Sequence, residues 1–534
     1  MKKIKELKLE ELSLKQKIGM TMVGCLTMYN ENHDNFDDET EYVLSLIKEH
    51  CLGAVFLDVR LKRRDEIMAK IKEAADYPIL IITDAESGIE EFQIGKHNAI
   101  GVAGKKELAY TFGKVVGVTA RNLGYNVVED PIMEIQRGPG VCGKNSRAIG
   151  SDKEQVAMLA AKIVEGMHDG GILSFAKHYP SSNNTYNIDS HMAEAYSEDD
   201  LNTVLNLNLY PYFELMRQNL LDGIMTQHFK LASVDPEHPA SLSKKVINLI
   251  RDRGFDGIAI TDAMCMMGIV AKYGKDRVKG LAVEAGNDLM LPWFDNKDSF
   301  EALCNCYDDG IISDETLNNA ARRVLEAQHK TLIVPKYTKL TREDIENFKK
   351  INTDSVYEYV DDGILNKLSS DGKHLFAVMV PCNTDIAGDG SVSVDTFKSN
   401  WYFPEKITEK LNKLFPNSTV RIISEFPTAN RIEDLLNDSV EHDDVIFFTY
   451  AETAAYTGKE CLTSRIISLI EALQVTKRVS TLVHFGNPYV LEELAHIPRV
   501  IIGCLSAENV SAAIDVLAGL YPAKGVATYD AKLK

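Results

Sequence analysis

Short apolar runs recur along the first three hundred or so positions, most of them running into a polar residue and separated by stretches with helical spacing. GAVFL (53–57), PILIITD (78–84), YNVVEDP (125–131), ILSFAKH (172–178), GIMTQH (223–228), GIAITD (257–262) and DLMLP (288–292) are aliphatic or β-branched along most of their length. Strands covered on both faces have that pattern, whereas strands with one wet face alternate. Helical spacing fills the gaps, for example over 12–22, 105–123 and 152–169. Ser151 is expected to cap the last of these, with Glu154 three residues on. Strand-helix alternation of this length predicts an α/β chain opening with a (β/α)8 TIM-like barrel, and a doubly wound sheet is the alternative.

The pattern changes at about Val334. PKYTKLTREDIENFKKINTD is charged and polar, and reads as a linker with one short helix. Apolar runs then resume as LFAVMVP (375–381), TVRIIS (419–424), DVIFFTY (444–450), STLVHFGNP (480–488) and RVIIGCL (499–505), again spaced by helical stretches such as 462–473. The expected layout is a barrel domain over 1–335, a linker over 336–362, and a smaller α/β sandwich domain over 363–534.

Composition narrows the class. A chain of 534 residues exceeds one core, which agrees with two domains. Its net charge of -19 argues against a nucleic-acid partner, since phosphate binding needs a basic face. The charged start, MKKIKELKLEELSLKQKIGM, lacks the apolar core of a secretory signal, and no run is long enough for a membrane span. Nine cysteines without C-x-x-C pairs fit reduced thiols. Cys304 and Cys306 read as ordinary packing. A cytoplasmic location and no membrane partner are expected; oligomeric state is left open. Without a G-x-G-x-x-G loop, a phosphate-binding G-x-x-x-x-G-K-[ST] loop or an H-E-x-x-H helix, neither a nucleotide cofactor nor a metal is expected.

Candidate chemistry gathers at the ends of the apolar runs. Asp262 closes GIAITD, where a carboxylate could serve as nucleophile, base or metal ligand, or cap the helix that follows. The polar stretch KHYPSSNNTYNIDSH (177–191) suits a loop better than a core element. In it Asp189 and His191 are separated by one residue, so extended backbone puts both side chains on one side. The carboxylate can then fix the imidazole tautomer and create a general acid/base; a surface Asx turn with an incidental His is the other reading. Lys177 and His178 end a buried run and carry donors suited to hydroxyls. Asp84 and Arg147 could bind hydroxyls in the same way, although each could equally sit in a structural ion pair.

These residues together resemble glycoside hydrolase family 3, and within it the β-N-acetylglucosaminidase branch. SRAIGSDKEQVAMLAAKIVEGMHDGGILSFAKHYP is similar to the segment that leads into the family's K-H-F-P-G-H-G-D-T loop, with Lys177, His178 and Pro180 in place. IDSHM matches the branch's D-S-H dyad at Asp189 and His191. PASLSKKVINLIRDRGFDGIAITDAMCM matches the nucleophile segment at Asp262. The resemblance implies a retaining exo-β-N-acetylhexosaminidase acting on a carbohydrate substrate. Asp262 would be the nucleophile, His191 with Asp189 the acid/base, and Asp84, Arg147, Lys177 and His178 the sugar-binding residues. It also implies three departures: Ser181-Ser182-Asn183-Asn184-Thr185 for G-H-G-D-T, Phe92 where a sugar-binding Arg is expected, and Glu134 for the Asp of P-V-L-D. Three alternatives remain at this level: a phosphorolytic enzyme of the same branch, a β-glucosidase using Glu452 or Glu460 as acid, and a catalytically silent sugar binder.

Overall fold

The computed structural model describes residues 4–29, 31–138, 147–181, 188–364, 367–380, 382–386, 392–396, 401–452, 462–476 and 478–533. The chain forms two compact units. One comprises Met1–Gln93, Lys106–Ile135 and Asp152–Phe348, and the other Ile94–Lys105, Gln136–Ser151 and Lys349–Lys534.

In the first unit, seven strands pair side by side in sequence order: β1 (Val23–Leu26), β2 (Ala54–Leu57), β3 (Leu80–Thr83), β4 (Val127–Val128), β5 (Leu173–Tyr179), β6 (Gly223–Thr226) and β7 (Ile258–Thr261). Every pairing is parallel. Leu289 bridges to Ile260 beside β7, and Met290 to Met22 just before β1, so DLMLP supplies the eighth position and closes the barrel. Closure rules out a doubly wound sheet, which would leave two free edges. Every residue of these seven strands is buried, as unbroken apolar runs require when helices cover the outside and side chains fill the lumen.

The helix expected over 12–22 occupies Leu14–Met20, held at its start by a capping box in which Ser13 and Gln16 exchange hydrogen bonds. Lys106–Leu123 and Lys153–Asp169 match their predicted helices closely. The cap of the second helix is one residue later than expected. Asp152 accepts from the Gln155 amide at 2.7 Å, while the Ser151 hydroxyl donates to the Thr528 carbonyl. The charged Asp oxygen is the stronger acceptor for an exposed helix start.

The second unit contains a six-stranded sheet in the order Tyr357–Val360, Arg499–Gly503, Val479–Gly486, Asp444–Ala451, His374–Val380, Thr419–Ser424. Its five inner pairings include one antiparallel edge, where Tyr357–Val360 meets Arg499–Gly503; the rest are parallel. Each of the five predicted runs is a strand here. Helix Ser464–Gln474 fills the stretch expected over 462–473, and helix Arg342–Asp354 is the one read in the polar connection.

Candidate active site

Chemistry in a barrel collects where strands end, because the loops leaving those ends face the same opening. Asp262 follows β7 directly, its amide bound to the Thr226 carbonyl of β6 at 2.9 Å. The next helix begins only at Met267 and has no side-chain cap, so the helix-cap reading of Asp262 fails. Its carboxylate accepts from the Ala263 amide at 2.7 Å and is half-buried. Burial alone would push its pKa up. His178, His228 and His191, together with the Ala263 amide, outweigh that and hold it below the ordinary aspartate value. The group is therefore an ionised carboxylate, ready to act as a nucleophile.

Asp189 and His191 form the expected pair. Asp189 Oδ1 meets His191 Nδ1 at 2.7 Å and also accepts from the His191 amide at 2.9 Å. The Asx turn is thus real, and it builds the dyad instead of competing with it. With the proton on Nδ1 committed to Asp189, Nε2 is the nitrogen left to exchange protons. Two anchors hold this loop beside Asp262. The His191 carbonyl accepts from the Met267 amide at 2.9 Å. Gly268 lies so close that a Cβ there would meet the Ser190 carbonyl oxygen at 2.4 Å and that of Ala193 at 2.6 Å. The chain then enters Ala195–Ser197, which pairs in parallel with Phe229–Leu231, the strand that follows His228.

Lys177 and His178 end β5 at a register shift against β6, where Lys177 opposes Met225 and Tyr179 opposes Thr226. The extra residue redirects side chains, as bulges beside functional sites do. Lys177 is buried and pairs with Asp84 and, at 2.9 Å, with Glu86. Desolvation would neutralise a lysine here, but Asp84, Glu86 and Asp130 keep it charged. Asp84 has the most exposed side chain of the trio, at 39% against 12% for Glu86 and 3% for Lys177. It is therefore the member that a ligand meets first. His178 Nδ1 meets Glu134 Oε1 at 2.7 Å, so the Asp-to-Glu departure preserves a carboxylate behind the imidazole. Phe92 packs edge-on against Phe348, with ring centroids 5.5 Å apart; it is a packing residue.

Sequence reasoning left three supporting residues out of the site: Glu86, Glu134 and His228. His228 donates from Nε2 to the Ala263 carbonyl at 3.0 Å and accepts at Nδ1 from the Ser241 hydroxyl at 2.7 Å, steadying the turn after Asp262. Burial lowers its pKa in spite of nearby Asp262, so it stays a neutral ring. The signal available was its place at the end of GIMTQH, one of several polar run ends. Arg147 lies in a turn of the segment Gln136–Ser151, which belongs to the second unit. Glu452 is also in that unit and accepts from the Tyr450 hydroxyl at 2.6 Å. Ser181 is described: its hydroxyl donates to the Met133 carbonyl and accepts from the Ile135 amide. Ser182–Asn184, Thr185 and Glu460 lie outside the described residues.

Residues 3–327 match the model of the glycosyl hydrolase family 3 N terminal domain. A β-hexosaminidase of Tolumonas auensis is 28% identical over 260 residues, 46% of this chain and 77% of that protein. A β-N-acetylglucosaminidase/β-glucosidase of Cellulomonas fimi is 24% identical over 345 residues, 59% of this chain and 57% of its own length. Among solved structures, a family 3 β-N-acetylglucosaminidase from Paenibacillus sp. str. FPU-7 superposes with a TM-score of 0.78 at 23% identity, covering 98% of this chain and 100% of that one. At that identity the likeness speaks for the fold.

Proposed function

Because this chain belongs to glycosyl hydrolase family 3 and is a glycoside hydrolase, we propose that it is a retaining exo-β-N-acetylglucosaminidase. The observation that carries this reading is the Asp189–His191 pair anchored on the turn that follows an ionised Asp262. In the first step Asp262 attacks the anomeric carbon while His191 gives its Nε2 proton to the departing glycosidic oxygen. The products of that step are a free aglycone alcohol and a glycosyl ester on Asp262. In the second, neutral His191 takes a proton from water, whose oxygen attacks the same carbon and releases Asp262. Two inversions give net retention. Asp189 supports the imidazolium that gives its proton in the first step and is regained in the second.

Asp84, Lys177 and His178 would bind hydroxyls of the terminal sugar. The exposure order of the Lys177 cluster supports this, with Asp84 outermost and Lys177 orienting it from behind. We also assign the chemistry to the barrel domain read over 1–335, less the stretches 94–105 and 136–151 that join the second unit, and place the enzyme in the cytoplasm. The free state of the described cysteines Cys25, Cys51, Cys265, Cys304, Cys306 and Cys504 is consistent with that compartment.

The test is turnover of p-nitrophenyl N-acetyl-β-glucosaminide by wild type, Asp262→Ala and His191→Ala. The wild type is expected to release p-nitrophenol and, by NMR, the β-anomer first. Equal rates in all three proteins, or the α-anomer as first product, would reject the reading.

A further inference from the structure

We propose that Glu129 touches the bound sugar from the inner side of this site and selects an uncharged oxygen substituent of the ring. Glu129 follows β4, its amide tied to the Thr83 carbonyl of β3 at 3.0 Å. Only 1% of it is exposed, and its Oε1 is enclosed without a hydrogen-bond partner among the described residues. An enclosed polar atom without a partner is costly, so a ligand oxygen that pairs with it is favoured.

The surroundings say what that ligand atom is. Glu129 is within electrostatic reach of Asp84 after β3, Lys177 on β5, Asp262 after β7 and its neighbour Asp130, and of Cys25 on β1. Lys177 is already engaged by Asp84 and Glu86. Burial first, then Asp84, push the Glu129 pKa well above the usual carboxylate value, with Lys177 only partly opposing them. Glu129 is thus held as a carboxylic acid, which offers one O–H donor and one carbonyl acceptor. An anionic substituent would meet Asp84, Asp130 and Asp262 and be repelled. A hydroxyl or the carbonyl of an acetamido group would be accepted.

This inference rests on the sugar-cleaving role of Asp262 but not on which sugar is cleaved. The experiment uses whichever p-nitrophenyl β-glycoside, N-acetylglucosaminide or glucoside, the wild type turns over faster, along with its 2-, 3-, 4- and 6-deoxy analogues. Steady-state constants are measured for wild type, Glu129→Gln and Glu129→Leu. Glu129→Gln, which keeps a neutral donor and acceptor, is expected to hold KM within about threefold. Glu129→Leu is expected to raise KM roughly tenfold or more with kcat little changed. That rise should vanish for the one deoxy analogue lacking the partner oxygen, a coupling that a merely structural residue would not produce. A wild-type KM in Glu129→Leu, or the same rise on every deoxy analogue, would overturn the proposal. If Glu129→Leu fails to fold, a Glu129→Gln KM more than tenfold above wild type overturns it, and one within threefold showing the same preference among deoxy analogues supports it. If the wild type cleaves none of these glycosides, the activity proposed above fails instead. The same comparison is then read as Kd for N-acetylglucosamine, glucose and their deoxy forms by calorimetry, and no binding at all rejects the Glu129 role as well.

Discussion

In the proposed mechanism His191 transfers a proton only while Asp189 holds its Nδ1, so the two side chains should fail together. General acid/base groups contribute about 10²–10⁴ in rate. His191→Ala is expected to lose that much on a substrate with a poor leaving group. A 2,4-dinitrophenyl glycoside, whose phenolate leaves without protonation, should lose less than about tenfold in kcat/KM. Asp189→Ala should follow the same pattern with a smaller loss, and equal losses on both substrates would argue against a proton-transfer role. A second residue sets acid stability. His484 is buried between Thr449 Oγ1 and the Asn487 carbonyl, and burial drops its pKa to about 3 from the ordinary 6.5. Between those values the unfolded chain binds the extra proton. Stability is therefore full above about pH 6.5 and falls by roughly 1.4 kcal/mol per pH unit as the solution is acidified. His484→Gln should flatten the fall in Tm between pH 7 and pH 5; an unchanged slope would show that other groups govern it. At this scale the residue types of the site were readable in the sequence. Their partners Glu86, Glu134 and His228 were not, because each pairing crosses between strands far apart in the chain.

Among elements, the loop that carries the dyad depends on one close approach. Gly268 has room for no side chain against the Ser190 and Ala193 carbonyl oxygens, which belong to backbone and cannot swing aside. Gly268→Val should therefore displace 189–193, lowering kcat by about 10² or more while the far-ultraviolet circular dichroism stays that of the wild type. Full activity in that variant would mean that the loop is not held by this contact. The barrel strands were legible because both of their faces are buried and their runs are purely apolar. Short elements were not. Ala195–Ser197 and Phe229–Leu231, which anchor the dyad loop, are three residues each, too brief for any periodicity to register. The hairpin of Cys382–Ile386 and Val392–Thr396 escaped for another reason, since its sequence holds no apolar run.

For the molecule as a whole, the second unit is not simply the C-terminal part of the chain. Ile94–Lys105 and Gln136–Ser151 join it from within the barrel sequence. Val526 donates to the Val102 carbonyl at 2.9 Å, Lys105 pairs with Asp354 at 2.6 Å, and the Tyr529 hydroxyl donates to the Ala148 carbonyl at 2.8 Å. A chain cut after Phe348 would strip those two inner segments of their partners. It is expected to bind a hydrophobic dye such as ANS and to lose a cooperative thermal transition; a sharp transition at the full-length Tm would show that the barrel stands alone. The sequence by itself determined the order and class of the strands and marked Asp262, Asp189 and His191 as candidates, because burial periodicity and residue chemistry are local properties. Tertiary structure alone decided that Asp262, among three imidazoles, has its pKa lowered while that of Glu129 is raised by burial and Asp84, and that two stretches inside the barrel sequence pack with the far end of the chain. Charge state and packing partner depend on what surrounds a residue in space, and a linear pattern does not carry that information.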